Sequence, residues 1–496
     1  MENTDQKSVL RIETWPQWIA AIGVLILMIH MGCIDVWSSP YIEPLTSLGS
    51  PFLITLEEMS WVISLMNFGR PLGAISGAII TNYWGSKTGV LISCVPITLC
   101  WLFIILADNV NWLYVARFSG GISVGMIYAC YSLYVAEIAE PSNRGMLLAM
   151  CMIGVPCGNI LITSLGAYLS MKDSTAILLI FGFAIIALFM WLPESPHHYV
   201  KYNEDGKARS SIHWYHRNYD VELELMKLHK FIEDHSEKSI KDTLRQMKTK
   251  QFRKSSIMIV ILIMLSQLCG VGPVAFYMEM ILTSAKVSVI EPSKIVMLVM
   301  AIGLSGSILS VFLMDKYGRK ILMIVSALGV MIAFTLLSLN FWLLSYGFDP
   351  KTVESLSIVG MILYNTAIYV GLVPIPPLIA GEIFPPHLKC IALCMVSCCA
   401  GLISFIAAST YVPLLQIMPE HYLFLLYAVM LLATVPYTIF FVPETKGLSL
   451  QEIQDQLSGK NKSSNAPKSN TTWTKEELNV NNISGHVISL DSVNTK

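Results

Sequence analysis

Apolar residues in this chain do not alternate or stripe; they run unbroken for about 20 residues at a time, the length that crosses a hydrocarbon core of about 30 Å. Twelve such runs are legible, at 16–39, 60–81, 88–107, 112–136, 145–169, 175–192, 255–283, 293–314, 321–345, 353–379, 387–412 and 421–442. Between the sixth and seventh lies the one long polar connection, 193–254. There the apolar positions around Val221, Leu223, Leu225, Met226, Leu228 and Phe231 recur helically, which predicts short amphipathic helices under the bundle; a solvated linker is the alternative. After the last run the chain turns to Asn, Ser, Thr and Lys, too polar for a core, and 443–496 reads as a mostly disordered tail. The pattern thus predicts an all-α membrane protein of two six-helix halves, 16–192 and 255–442, preceded by a short polar N-terminus, 1–15.

Composition agrees: 54% of the 496 residues are hydrophobic and 14% charged, a balance that excludes an ordinary soluble domain. Charge is informative only by its side. Lys and Arg gather in the N-terminus, in 197–254, in Asp315–Lys320 and in the tail, whereas 40–59 and 413–420 hold mainly acids. Basic segments face the cytoplasm, so both termini are expected there. Lys7 and Arg11 are not followed by a short apolar stretch with a small-residue cleavage site, so the first run reads as a retained helix. The 11 cysteines lie in or beside apolar runs without metal-ligand spacing and read as small core residues. Asn461, Asn470 and Asn482 match the glycosylation pattern but fall on the side expected to be cytoplasmic.

The second half repeats the first. Glu137 precedes Arg144 by seven residues, and Glu382 precedes Lys389 by seven. Asn82–Lys87 answers to Asp315–Lys320, and Pro193-Glu194-Ser195 to Pro443-Glu444-Thr445. The offsets are 233, 245 and 250 residues (315−82, 382−137, 444−194). An internal duplication with charges at one edge of each half is the mark of a transporter whose halves rock about a central site. Glu137, Arg144, Glu194, Asp315, Arg319, Glu382, Lys389 and Glu444 are therefore expected to form a cytoplasmic gate of ion pairs made and broken as the halves move. Helix capping and enforcement of topology are the plainer roles for the same charges. Gly270, Gly272 and Pro273 interrupt the seventh run, and Gly371, Pro374, Pro376 and Pro377 the tenth; such breaks suit helices that move beside a cavity, or kinks that serve packing.

Taken in order, Arg117–Gly125, Tyr134–Glu137 with Pro141 and Arg144-Gly145, Pro193–Pro196, Asp315–Lys320, Gly371 with Pro374 and Pro376, Glu382, and Pro443–Gly447 resemble the sugar porter family of the major facilitator superfamily. The likeness extends to the insect facilitated trehalose transporters and animal facilitative glucose transporters. It implies the major facilitator fold, a sugar as substrate, the plasma membrane as location, no cofactor and no enzymatic reaction. Neither a metal cluster nor a nucleic-acid-binding pattern is present in the sequence, and the partners expected are the sugar and the lipid bilayer.

The family's polar pocket is thinned here. Its paired glutamines fall on Ser266 and Gln267, the asparagine that follows them on Gly272, the fifth-span glutamine on Met152, the eighth-span asparagine on Gly303, the tenth-span tryptophan on Pro377 and the eleventh-span asparagine on Ala400. Gln267 is the retained amide. Asn159, two helical turns past Met152, together with Tyr277, Asn365 and Tyr369, are expected to complete the sugar site, with ordinary helix-to-helix hydrogen bonding as the alternative for each. Asp35 and Arg117 stand inside the first and fourth runs and are expected to pair, because an isolated intramembrane charge is costly. The resemblance adds that proton-coupled relatives use a first-span aspartate with this arginine; Asp35 is displaced from it by two residues. Three functions remain open on sequence alone: a facilitated sugar carrier, a proton-coupled symporter, and a non-transporting nutrient receptor on the same fold.

Overall fold

The computed structural model describes residues 14–446, apart from 48, 50, 51, 141, 142, 218, 237–244 and 385, together with residue 452. The N-terminal residues 1–13 and nearly all of the tail lie outside the described residues, as do the side chains of Asp315 and Lys389.

The first half comprises α1 (Trp15–Val36), α2 (Leu56–Trp84), α3 (Ser86–Ile105), α4 (Val110–Ile138), α5 (Arg144–Tyr168) and α6 (Met171–Trp191). The connection contributes α7 (Pro196–Lys201), α8 (Asp205–Tyr215) and α9 (Val221–Ser236). The seventh span is broken into α10 (Lys250–Leu268), α11 (Val271–Phe276) and α12 (Met278–Ser284); then follow α13 (Pro292–Tyr317) and α14 (Arg319–Ser345). The tenth span consists of α15 (Pro350–Ala367), a π-helical turn over Ile368–Leu372, and α16 (Ile375–Ile383). It widens where Pro374, Pro376 and Pro377 remove backbone donors. The chain ends in α17 (Pro386–Ile417) and α18 (Glu420–Phe441).

Eleven of these spans are long and apolar enough to cross a membrane by composition alone. The exception is α2, at 29 residues longer than the run 60–81 that announced it. It starts at a capping box in which Thr55 Oγ1 accepts from Glu58 N (3.2 Å) and Glu58 accepts from Thr55 N (2.9 Å). Small residues let helices close in: a Cβ placed on Gly121 of α4 would lie 1.9 Å from Met66 O of α2, and one on Gly158 of α5 would lie 2.0 Å from Ile29 O of α1.

The halves meet along two helix pairs, α2 with α17 and α5 with α13. Polar contacts between them are graded by depth. At the end of the bundle away from the termini, Ser38 Oγ donates to Phe276 O (3.2 Å), Glu279 N donates to Ser39 Oγ (3.3 Å), and Gln416 Nε2 donates to Glu57 Oε1 (3.3 Å). Midway, Cys398 Sγ donates to Pro71 O (3.6 Å) and Asn159 meets Tyr369. At the end where α1 begins and α18 finishes, the termini side, no hydrogen bond joins the halves among the described residues. This is a bundle closed at its far end.

Helices α7–α9 enclose a small core of their own, Val200, Ala208, Ile212, Leu225 and Leu228. They are fastened to the first half: Gln17 Nε2 donates to Tyr215 O (2.9 Å), Tyr215 Oη donates to Pro193 O (2.9 Å), and Ser211 Oγ donates to Glu194 O (2.5 Å). Lys201 Nζ donates to the backbone and side-chain oxygens of Asn82 (2.9 and 2.8 Å).

Candidate functional site

On the termini side each half builds the same cradle. Gly85 and Gly318 take φ of +103° and +89°, which turn the chain sharply into α3 and α14 and leave the first backbone N–H groups of those helices free to be capped. In the first half Glu194 accepts from Lys87 N (2.8 Å), Thr88 N (2.9 Å) and Thr88 Oγ1 (2.7 Å). In the second half Glu444 accepts from Arg319 N and Lys320 N, both at 3.1 Å. A carboxylate at a helix N-terminus is stabilised both by these donors and by the helix dipole.

The second carboxylate of each cradle separates the halves. Arg319 Nη2 donates to Glu382 Oε1 at 2.9 Å, and Thr445 Oγ1 donates to the other oxygen of Glu382. At the matching place in the first half stands Ser86, whose hydroxyl donates to Glu137 at 2.5 Å. One half therefore holds its edge with an ion pair and the other with a neutral donor. Each of these contacts lies within a half. Arg144 opens α5 exposed to solvent and forms no ion pair among the described residues, and the backbone positions of Asp315 and Lys389 fall at the same end. A cleft of about 330 Å³ lies beside the first cradle, lined by Thr81, Asn82, Glu137, His197, Lys201 and Phe231. Burial pushes the His197 imidazole down to about 4, helped by Arg144.

At mid-depth, the polar residues expected to form one pocket divide into three groups. Gln267 is half-buried on α10; its Oε1 accepts from Ser404 Oγ of α17 at 2.7 Å, and its amide nitrogen has no partner among the described residues. Asn159 and Tyr369 join across the halves at 2.6 Å. With the amide turned so that every polar atom is matched, Tyr369 Oη donates to Asn159 Oδ1, and Asn159 Nδ2 donates to Gly32 O (2.9 Å) and Val155 O (3.2 Å). These three face the interior between the halves.

Three others are placed differently. Asn365 is buried in α15 and donates to Val299 O at 2.8 Å, filling the space that Gly303 leaves on α13. Ser266 turns its hydroxyl back to Leu262 O (2.8 Å) along its own helix. Tyr277 is buried between α11 and α12 and stacks on Tyr411 with ring centroids 4.6 Å apart. It belongs to the closed far end.

Asp35 and Arg117 form no salt bridge either. Arg117 is fully buried and donates instead to Ile34 O (2.6 Å) and Met66 Sδ (3.2 Å), with its guanidinium over the Trp37 ring at 5.4 Å. The carbonyl one residue before Asp35 captures the cation, because a free backbone oxygen at a helix end is nearer than the carboxylate. The sequence reading also passed over four groups: Arg70, Asn67, Tyr128 and Ser404. Asn67 is fully buried on α2 with both amide atoms unpartnered among the described residues. Both it and Arg70 stand at mid-depth in α2, where any strongly polar residue is a signal.

Two six-helix halves with repeated charged cradles at one end, a polar interior and a seal at the other end define a membrane carrier of the two-half type. A family profile described as "Sugar (and other) transporter" matches residues 19–457, and the chain belongs to that family. It is 28% identical over 462 residues to the facilitated trehalose transporter Tret1 of Bombyx mori, covering 92% of this chain and 89% of that protein. To the protein of the same name from Drosophila mojavensis it is 26% identical over 451 residues, spanning 90% of this chain but about half (52%) of that relative's length. Among solved structures, the inward open xylose transporter XylE from E. coli superposes with a TM-score of 0.72 at 19% identity, over 89% of this chain and 99% of that one. The proton:xylose symporter XylE bound to 6-bromo-6-deoxy-D-glucose gives 0.71 at 18%, over 90% and 100%. These likenesses show the major facilitator fold; relatives and fold alike are those of transporters, not of enzymes.

Proposed function

We propose that this protein carries a polyhydroxylated solute of the hexose, trehalose or polyol class through the plasma membrane by alternating access, down its gradient. The observation that carries the reading is the interior between the halves. There an amide nitrogen of Gln267 is left unpartnered beside Ser404, while Asn159 and Tyr369 bridge the halves at the same depth. A sugar hydroxyl leaves water only where such groups replace its hydrogen bonds. The relatives named as facilitated trehalose transporters support the substrate class. The basic connection, the start of α1 and the end of α18 lie on one side of the bundle, which supports a cytoplasmic assignment for that side and an extracellular one for the closed far end. The gate residues Glu137, Arg144, Glu194, Arg319, Glu382 and Glu444 then flank the open cytoplasmic end, together with Asp315 and Lys389. Facilitated transport is favoured over proton coupling, because the terminal nitrogens of Arg117 go to Ile34 O and Met66 Sδ rather than to Asp35.

Uptake of labelled glucose and trehalose by cells expressing the chain tests this. Entry that saturates and levels off at the external concentration is expected. Accumulation above it, abolished by collapsing the proton gradient, would establish coupling instead, and absence of glucose and trehalose entry at verified surface expression would overturn a neutral sugar as the substrate.

A further inference from the structure

The two interior guanidinium groups of the first half have different surroundings. Arg117 gives its two terminal nitrogens to a carbonyl and a sulfur and lies over an indole, with its Nε alone left without an acceptor. Arg70 has neither a carbonyl nor a sulfur among the described residues. It stands 14 residues from either end of α2 (70−56 and 84−70), roughly 21 Å along the axis from each. Among the described residues no hydrogen bond or ion pair holds it; its Nε is buried without an acceptor, and the face of Tyr128 lies 5.6 Å away.

Its surroundings are those of the solute path. A Cβ placed on Gly401 of α17 would meet the Arg70 Cβ at 3.0 Å, and Ser404, the partner of Gln267, lies one helical turn further along the same face of α17. Away from the helix ends this half holds one carboxylate, Asp35, and two guanidinium groups, Arg70 and Arg117, so its interior carries one positive charge more than it balances. A membrane protein retains such a charge at a cost that a ligand of opposite sign removes.

We propose that Arg70 receives the carboxylate of the transported solute, so that the preferred substrate is a hexose-sized sugar acid, a monoanion of the uronate or aldonate class. The planar guanidinium fits a carboxylate bidentately, and the hydroxyl-bonding groups at Gln267, Ser404 and Asn159 then hold the rest of the molecule. A single unbalanced charge selects a monoanion over a phosphate dianion, which would leave the site negative. This reading rests on the carrier function proposed above and narrows its substrate.

The test pairs transport with binding. Cells expressing the full chain at matched surface levels are given labelled glucuronate or labelled glucose, for wild type, Arg70→Gln and Arg70→Lys. The purified protein is also melted with glucuronate, glucose or glucose 6-phosphate. Glucuronate is expected to enter wild-type cells about tenfold faster than glucose; Arg70→Gln loses that advantage, and Arg70→Lys keeps part of it through its charge. Wild type carrying glucose and refusing glucuronate overturns the proposal and leaves the carrier function standing. Equal glucuronate uptake by Arg70→Gln overturns it too, as does stronger stabilisation by the phosphate. If nothing enters but glucuronate still stabilises the protein in an Arg70-dependent manner, the sugar-acid site holds and the carrier reading falls. Neither uptake nor stabilisation overturns both.

Discussion

Replacing Gly318 by alanine should damage the protein far more than one methyl group suggests. At φ +89° and ψ 168° its backbone is in a region that side-chain-bearing residues adopt only under strain, at a cost of about 1–3 kcal/mol. The new Cβ would also lie 2.6 Å from Glu444 Oε2, too close for either to stay in place. Moving that carboxylate off even one of the N–H groups of Arg319 and Lys320 removes a hydrogen bond to a charged group, roughly 1.5–3 kcal/mol. The two effects total roughly 2.5–6 kcal/mol, a large part of the 5–15 kcal/mol that holds a typical protein folded. Gly145→Ala is the control, since nothing lies within 4 Å of a Cβ there. Thermal melting of the detergent-solubilised protein, with surface expression alongside, should show Gly318→Ala clearly lowered and Gly145→Ala unchanged or slightly raised. In Gly318→Ala/Glu444→Ala the collision is absent, so the double loss should be smaller than the sum of the single ones. A Gly318→Ala protein that melts with the wild type would refute both the strain and the cradle.

Gln267→Ala should raise the apparent KM for a neutral or acidic sugar by about tenfold, the worth of one hydrogen bond of about 1–1.5 kcal/mol, with little change in melting; concentration-dependent uptake reads it. Gly303→Ala would bring a Cβ to 2.0 Å from Asn365 Nδ2 and should destabilise by about 1–3 kcal/mol, largely rescued in Gly303→Ala/Asn365→Ala. Rescue failing in the melt would show that Asn365 is held by something other than the space at Gly303. Glu382→Ala removes the ion pair between Glu382 and Arg319 and should slow turnover markedly, whereas Ser86→Ala, removing a neutral donor from Glu137, should slow it less; equal rates would show that the unequal edges of the two halves are functionally equivalent.

The spans were readable because a lipid-crossing helix needs little beyond length and apolarity, and the two cradles because a duplication repeats its own spacing. Gly85 with Ser86 and Gly318 with Arg319 fall at the same offset of 233, so even the exchange of an arginine for a serine was visible in the sequence. The pocket was less legible. Asn159 and Asn365 look alike in sequence, each an amide in an apolar run. Which one faces the interior is decided on other helices: Gly303 opens a hollow for Asn365, while Tyr369 reaches across to Asn159. The hydrogen bond from Arg117 to Ile34 O was not foreseeable, because a backbone carbonyl competes for a guanidinium and carries no sequence signature. Arg70 could have been found, as a lone cation midway along an otherwise uncharged stretch.

The fastening of α7–α9 has a mechanical consequence. Through Gln17, Pro193, Glu194 and Asn82 these helices are bolted at several points to one half. In a rocking motion they therefore travel as ballast on that half instead of stretching as a tether between the two. A half that tilts on that side would therefore be a unit of nine helices rather than six.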